Sequence, residues 1–182
     1  MKKIEESKNK EQRKDEHLEA VLELLNIPDI DINHGFSLNK SNPLHITAAS
    51  GRPDLVKLLL ENKADPNNGR TTDGATPLLM AAERGHVEVV KLLLQQDRIE
   101  INRARKDGST PMYAAAQEGH YEAVALLLEH NANPNLAMKG GVTPLLMAAQ
   151  EGKFNVVKAL LAHTGDSITK KTEIDPNQAA TT

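Results

Sequence analysis

The sequence contains no cysteine among its 182 residues, and this absence removes several classes of site at once. Without thiols the chain can form neither a disulfide framework nor a zinc–thiolate site, and it has no cysteine nucleophile. Aromatic residues are almost as scarce, with two Tyr, two Phe and no Trp. We therefore expect neither an aromatic platform for a sugar nor a surface on which nucleic-acid bases stack.

Long apolar runs and an excess of positive charge are missing as well. No stretch approaches the roughly 18 apolar residues of a membrane-spanning helix. The N-terminal MKKIEESKNKEQRK has no apolar core of a secretory signal. The formal net charge of −3 gives no electrostatic footprint for nucleic acid or an anionic membrane. We expect a soluble protein of the cytoplasm, or one delivered into a host cell if its source is an intracellular bacterium.

The sequence motifs of common catalytic centres are also absent. No G-x-S-x-G or H-E-x-x-H occurs. Gly152-Lys153 lacks the glycine five residues earlier that a phosphate-binding loop requires. We therefore expect neither enzymatic activity nor a cofactor.

What the chain does contain is an internal repeat with a period of 33 or 34 residues. Prolines recur at this spacing, and a glycine follows eight residues after each one. The prolines are Pro43, Pro77, Pro111 and Pro144, and the glycines are Gly51, Gly85, Gly119 and Gly152. The phrase TPLLMAA occurs twice without change, at Thr76–Ala82 and at Thr143–Ala149. A fixed period of this length predicts small units that stack on one another.

One unit reads as two short helices and a loop. Thr76 followed by Pro77 is a helix start, because the threonine side chain caps a free N–H group and the proline needs no donor. The first helix runs toward Gly85, and a second over Val87–Gln96 carries apolar residues on more than one side. Paired alanines let neighbouring helices approach closely; they are Ala81-Ala82, Ala115-Ala116 and Ala148-Ala149. The sequence predicts an all-α repeat solenoid of stacked helix-turn-helix units with hairpin-like connecting loops.

These units resemble the ankyrin repeat, whose pattern is roughly G-x-T-P-L-H-x-A-A-x-x-G-H-x-E-V-V-x-L-L-L-x-x-G-A-D-x-N. DGATPLLMAAERGHVEVVKLLLQQ and DGSTPMYAAAQEGHYEAVALLLEHNANPN match it at most positions, and the resemblance covers about residues 37–165. Upstream, Leu18–Asn33 aligns without gaps on Val87–Asn102. The predicted organisation is a disordered N-terminus at 1–10, an N-terminal capping half-repeat at 11–36, four ankyrin repeats at 37–168 and a polar C-terminal tail at 169–182.

Candidate metal ligands and acid–base pairs fall on equivalent positions of neighbouring units. His86 and His120 are one such pair, and Glu118 and Glu151 are another. Equivalent positions in a stack lie about 10 Å apart, whereas two ligands of one zinc each lie within about 2.1 Å of it. The widest carboxylate pair of an inverting glycosidase spans about 9.5 Å. We therefore expect no metal and no catalytic residues, and the resemblance implies that the histidines form hydrogen bonds that tie adjacent loops.

The resemblance implies a protein partner that contacts the concave face of the first helices and the loop tips. On the first helices the predicted partner-binding residues are Leu79, Met80, Glu83, Arg84, Tyr113, Gln117, Glu118, Leu146, Met147, Gln150 and Glu151. On the loop tips they are Arg70, Thr72, Asp73, Lys106, Asp107, Ser109 and Lys139. Leu79, Tyr113 and Leu146 replace the histidine of the family pattern. They either complete the packing against a neighbouring helix or form a partly exposed apolar stripe with a polar rim, as protein interfaces do.

We expect a non-catalytic protein–protein interaction module, a monomeric scaffold that binds neither nucleic acid nor membrane. Two alternatives stay open: a targeting or regulatory domain of a larger protein, and a bacterial effector or immunity protein with one specific partner. The last unit, with FNVVKALLAHTGDSI, favours the first alternative because it is a poor solvent-facing cap. Asn33, Asn67 and Asn102 also resemble the hairpin asparagines that an oxygenase hydroxylates in ankyrin proteins, and a structural role explains them equally well.

Overall fold

The computed structural model describes residues 19–35 and 40–171, and side chains as far as residue 163. Within these ranges helices alternate with turns, which confirms the predicted all-α repeat fold. The helices are residues 19–25 (α1), Pro43–Ala49 (α2), Pro53–Glu61 (α3), Pro77–Glu83 (α4), Val87–Leu94 (α5), Pro111–Glu118 (α6), Tyr121–Glu129 (α7), Pro144–Gln150 (α8) and Phe154–Lys171 (α9). The predicted disordered N-terminus lies outside the described residues, and α9 continues past the predicted start of the tail at 169.

Each first helix begins at a capping residue followed by proline, as the sequence predicts. The Oγ1 atoms of Thr76, Thr110 and Thr143 accept hydrogen bonds from the backbone N–H three residues ahead, at 3.2, 3.1 and 3.3 Å. In α2 the cap is reciprocal, because the Asn42 side chain accepts from the His45 N–H at 2.9 Å and the His45 ring accepts from the Asn42 N–H at 3.2 Å. These bonds satisfy N–H groups that have no partner inside the helix.

His45 also links the first helix pair to the second. Its Nε2 lies 3.0 Å from the carbonyl oxygen of Ala75, in the loop that precedes α4. Burial lowers the pKa of His45, so the ring is held in its neutral form. The two bonds then assign the tautomer: Nδ1 accepts from Asn42, and Nε2–H donates to Ala75.

The helix pairs stack so that first helices form one row and second helices form the other. Helices α2, α4, α6 and α8 contact one another in order, and so do α3, α5, α7 and α9. Ala81, Ala115 and Ala148 have no exposed surface, as expected for small residues at close helix contacts. Ala149 is exposed although Ala82 and Ala116 are buried, because no described unit follows α8 and α9.

Close contacts between the turns of neighbouring pairs fix the spacing of the stack. Gly85 ends the first helix with φ of 68°, and a Cβ placed there would lie 2.5 Å from Nδ1 of the His120 ring. The same arrangement holds Gly51 under the ring of His86, whose Nε2 lies 3.0 Å from the Ala49 carbonyl oxygen. His86 thus makes the loop-tying bond that the resemblance implies.

Candidate functional site

The predicted partner-binding residues lie on the first helices and on the loops that precede them, a surface that we call the helix–tip surface. Its exposed members are Arg84, Glu118, Leu146, Gln150 and Glu151 on the helices or directly after them, and Thr72, Lys106, Asp107 and Lys139 on the tips. Its half-buried members are Arg70, Asp73, Glu83, Gln117 and Met147. The remaining four, Leu79, Met80, Ser109 and Tyr113, are buried.

The expectation of an exposed apolar stripe is wrong for two of its three members. Leu79 is 0% exposed and Tyr113 is 2% exposed, whereas Leu146 is 54% exposed. The three residues occupy the same position of successive first helices, and the next helix of the row covers only the first two. The alternative, that these side chains complete the packing between units, therefore holds for Leu79 and Tyr113.

Met80 and Ser109 are also buried, contrary to their placement on an exposed binding surface. Met80 packs in a small cluster with Leu79, Ala49, Ala75 and Ala114, which belongs to three successive units. Ser109 lies at the base of its loop, and its carbonyl oxygen accepts a hydrogen bond from the Arg105 N–H at 3.0 Å. Ser109 directly precedes the capping residue Thr110, which is buried as well.

Ion pairs hold several of the half-buried charged residues in place. The Arg70 guanidinium donates two hydrogen bonds to the Asp73 carboxylate, and this pairing lowers the pKa of Asp73 to about 2. Arg105 reaches back by one unit, with its Nη1 3.0 Å from Glu83 Oε1 and its Nε 3.4 Å from Asp107 Oδ2. The carboxylates of Asp73 and Glu83 are thus engaged inside the molecule.

Arg105, a charged residue of the loop tips, makes a pairing that the sequence does not predict. Its partner Glu83 is 22 positions earlier in the chain and belongs to the preceding helix pair. A pairing between units depends on how the units stack, so neither local sequence nor charge pattern indicates it. The nearest signal is that Arg105 belongs to a loop whose charged residues vary from unit to unit.

The loop tips are joined to one another by backbone hydrogen bonds. The Lys106 N–H donates to the Asp73 carbonyl at 2.7 Å, and the Lys139 N–H donates to the Asp107 carbonyl at 2.8 Å. The Lys106 ammonium group also donates to the Thr72 carbonyl oxygen at 2.7 Å. The tips therefore form a continuous edge with fixed relative positions, as a preorganised binding surface requires.

Neither a metal centre nor a transmembrane segment is found in the described part of the chain. Residues 19–35 and 40–171 contain no group of three or more His, Asp or Glu side chains that could hold a metal ion. None of the helices there is long and apolar enough to cross a bilayer.

Comparison with known families identifies the stack. A family model described as "Ankyrin repeats (3 copies)" matches residues 12–105 and 99–172, which together include most of the chain. The chain belongs to the ankyrin-repeat family. No curated protein matches the sequence significantly. Ankyrin repeats are generally protein–protein interaction modules, and the family is typically non-enzymatic.

The hairpin asparagines of this ankyrin array connect successive repeats. The Oδ1 atoms of Asn33, Asn67 and Asn102 accept hydrogen bonds from backbone N–H groups one repeat later, at 2.8, 2.8 and 2.9 Å. Asn67 also donates from Nδ2 to the Arg98 carbonyl oxygen at 2.6 Å. The bonds give these asparagines a structural role, and their hydroxylation stays a prediction.

Proposed function

We propose that this ankyrin-repeat protein is a non-catalytic module that binds a protein partner through its concave helix–tip surface. The observation that carries the proposal is the row of exposed polar side chains at one repeated position, Arg84, Glu118 and Glu151. These residues lie at the C-terminal ends of α4, α6 and α8, and backbone hydrogen bonds fix the neighbouring tips. A frame whose loop tips are already fixed loses little backbone freedom on binding, which favours recognition without rearrangement.

The charges of the helix–tip surface indicate a partner of mixed charge. Glu118 and Glu151 are exposed at the C-terminal ends of the first helices, as is Arg84, while Lys106 and Lys139 are exposed on the tips, as is Asp107. The carboxylates of Asp73 and Glu83 are already paired with arginines of this molecule. The exposed charged residues are therefore the ones that a partner would meet. A partner with basic groups toward the helices and acidic groups toward the tips would complement it.

The proposal is tested by charge reversal on the exposed helix row. The full chain and a Glu118→Lys/Glu151→Lys variant are used as bait for affinity capture with cross-linking from native lysate. We expect the partner captured by the wild-type chain to be reduced at least about tenfold with the variant, because like charges now face its basic groups.

A control variant, Glu61→Lys/Glu129→Lys, makes the same change in net charge at exposed residues that end α3 and α7. This control should capture the partner as the wild-type chain does. Equal capture by all three baits, or equal loss with both variants, contradicts recognition through the helix–tip surface.

A further inference from the structure

An apolar groove lies at the N-terminal end of the stack, away from the helix–tip positions already described. Its volume is about 210 Å³, and helices α1, α2 and α3 contribute its walls. The apolar residues that line it are Ala20, Val21, Leu24, Pro43, Ile46 and Leu55. Ile46 is 50% exposed, although it belongs to a first helix.

The groove lies where the other units have a first helix. One unit later, Leu55, Val56 and Leu59 stand where Ala20, Val21 and Leu24 stand here, and α2 packs against both α3 and α4. Met80, the counterpart of Ile46, is consequently only 8% exposed. In the described part of the chain no helix occupies the corresponding place beside α1 and α2.

The helices that fill this place in the other units show what kind of helix fits it. Each carries a large apolar residue and an alanine four positions apart, as in Leu44 with Ala48 and Leu78 with Ala82. These four side chains are almost fully buried. A ligand helix therefore needs leucine and alanine at positions i and i+4, which face the same side of a helix.

The residues that precede α1 in the sequence do not supply such a face. Continuing the repeat upstream would place the missing helix and its turn within residues 8–17, which read KNKEQRKDEH. This stretch contains no apolar side chain. A stretch without apolar side chains offers no hydrophobic contact to the apolar residues that line the groove.

The flank of the groove is acidic. Glu23 lies three residues after Ala20 on α1 and is therefore its neighbour on the helix surface, with Glu19 four residues before it. Both carboxylates are exposed. A helix with lysine or arginine beside its apolar face would pair with them, as amphipathic helices do in grooves.

We propose that this groove binds an amphipathic helix of a partner protein, one with leucine and alanine on its apolar face and basic residues on its flank. The site is separate from the helix–tip surface, and its occupation does not depend on the function proposed for that surface. A partner helix here would extend the row of first helices by one member and bury Ile46 as Met80 is buried.

The test uses a fluorescent, hydrocarbon-stapled peptide with the leucine and alanine spacing of α4 and lysines on its remaining faces, titrated into the full chain. We expect saturable binding in fluorescence anisotropy, about tenfold weaker for Ile46→Glu because the groove loses its central apolar contact. Ile27→Glu is the matched control, since Ile27 is equally exposed at 50% but does not line the groove. A peptide with serine in place of leucine and alanine should not bind.

Four outcomes would overturn the proposal. The first is no saturable binding by the wild-type chain, and the second is equal weakening by Ile27→Glu. The third is binding that appears only after deletion of residues 1–18, which would make the chain's own N-terminus the occupant. The fourth is a concentration-dependent dimer that Ile46→Glu abolishes, which would make a second copy the occupant. The Glu118→Lys/Glu151→Lys variant, which tests the helix–tip surface, should bind the peptide as the wild-type chain does. The two proposals can therefore fail independently.

Discussion

At the scale of single residues, the neighbours of a side chain matter more than its type. Leu79, Tyr113 and Leu146 hold the same position in three successive repeats, and all three have their backbone N–H bonded to a capping threonine. The first two are covered by the following first helix, whereas Leu146 faces solvent. Equivalent sequence positions therefore contribute very different amounts to stability.

This difference predicts losses of stability of different size for two matched substitutions. Tyr113→Ala leaves a cavity in the stack and should lower the free energy of unfolding by about 3–5 kcal/mol. Leu146→Ala removes a side chain that is more than half exposed and should lower it by less than about 1 kcal/mol. Urea denaturation followed by circular dichroism measures both values. Similar losses for the two variants would mean that Leu146 is covered in solution.

At the scale of the elements, the turn between the two helices of a repeat joins one repeat to the next. Gly85 and Gly152 both end a first helix in the left-handed region, with φ of 68° and 66°. A Cβ on Gly85 would meet the His120 ring, but a Cβ on Gly152 would have no neighbour within 4 Å. Replacing each of these glycines by alanine therefore distinguishes the cost of backbone strain from the cost of disturbing a contact between repeats.

Gly152→Ala should therefore lower the free energy of unfolding by about 1 kcal/mol, the cost of a left-handed backbone at alanine. Gly85→Ala carries the same strain and also pushes His120 from its place, which should add about 1–3 kcal/mol. The midpoints and slopes of urea unfolding curves give the two values. If the two alanine variants are equally stable, the contact between Gly85 and His120 does not hold the repeats together.

At the scale of the whole molecule, the sequence predicts the repeat but not the environment of each copy. The capping threonines are local signals, and each of them marks a helix start correctly at Thr76, Thr110 and Thr143. Burial of Leu79 and the bond from Arg105 to Glu83 depend on the adjoining repeat, which no local pattern describes. The helix starts were therefore predictable, whereas half of the candidate surface residues required the assembled stack.

The duplicated phrase TPLLMAA offers a test of how cooperative this stack is. The Met80 and Met147 amides sit in identical sequences, and each donates to its capping-threonine carbonyl oxygen at 3.0 Å. The intrinsic rates of hydrogen exchange of the two amides are thus matched. Their surroundings differ, because α4 lies between the first helices α2 and α6, whereas α8 has a described first helix, α6, on one side only. Because the stability of a repeat array is close to a sum of repeat and interface terms, α8 should open more readily than α4.

We expect amide hydrogen exchange, resolved by NMR, to be at least about tenfold slower at Met80 than at Met147. The Ala114 amide of α6, which donates to the Thr110 carbonyl oxygen at 3.0 Å, provides an internal reference, since α6 also lies between two first helices. Equal protection of Met80 and Met147 would contradict independent opening of the last repeat, and would show that the array unfolds as one cooperative unit. Unequal protection would locate the weakest interface at the α6–α8 boundary, where Leu146 and Ala149 remain exposed.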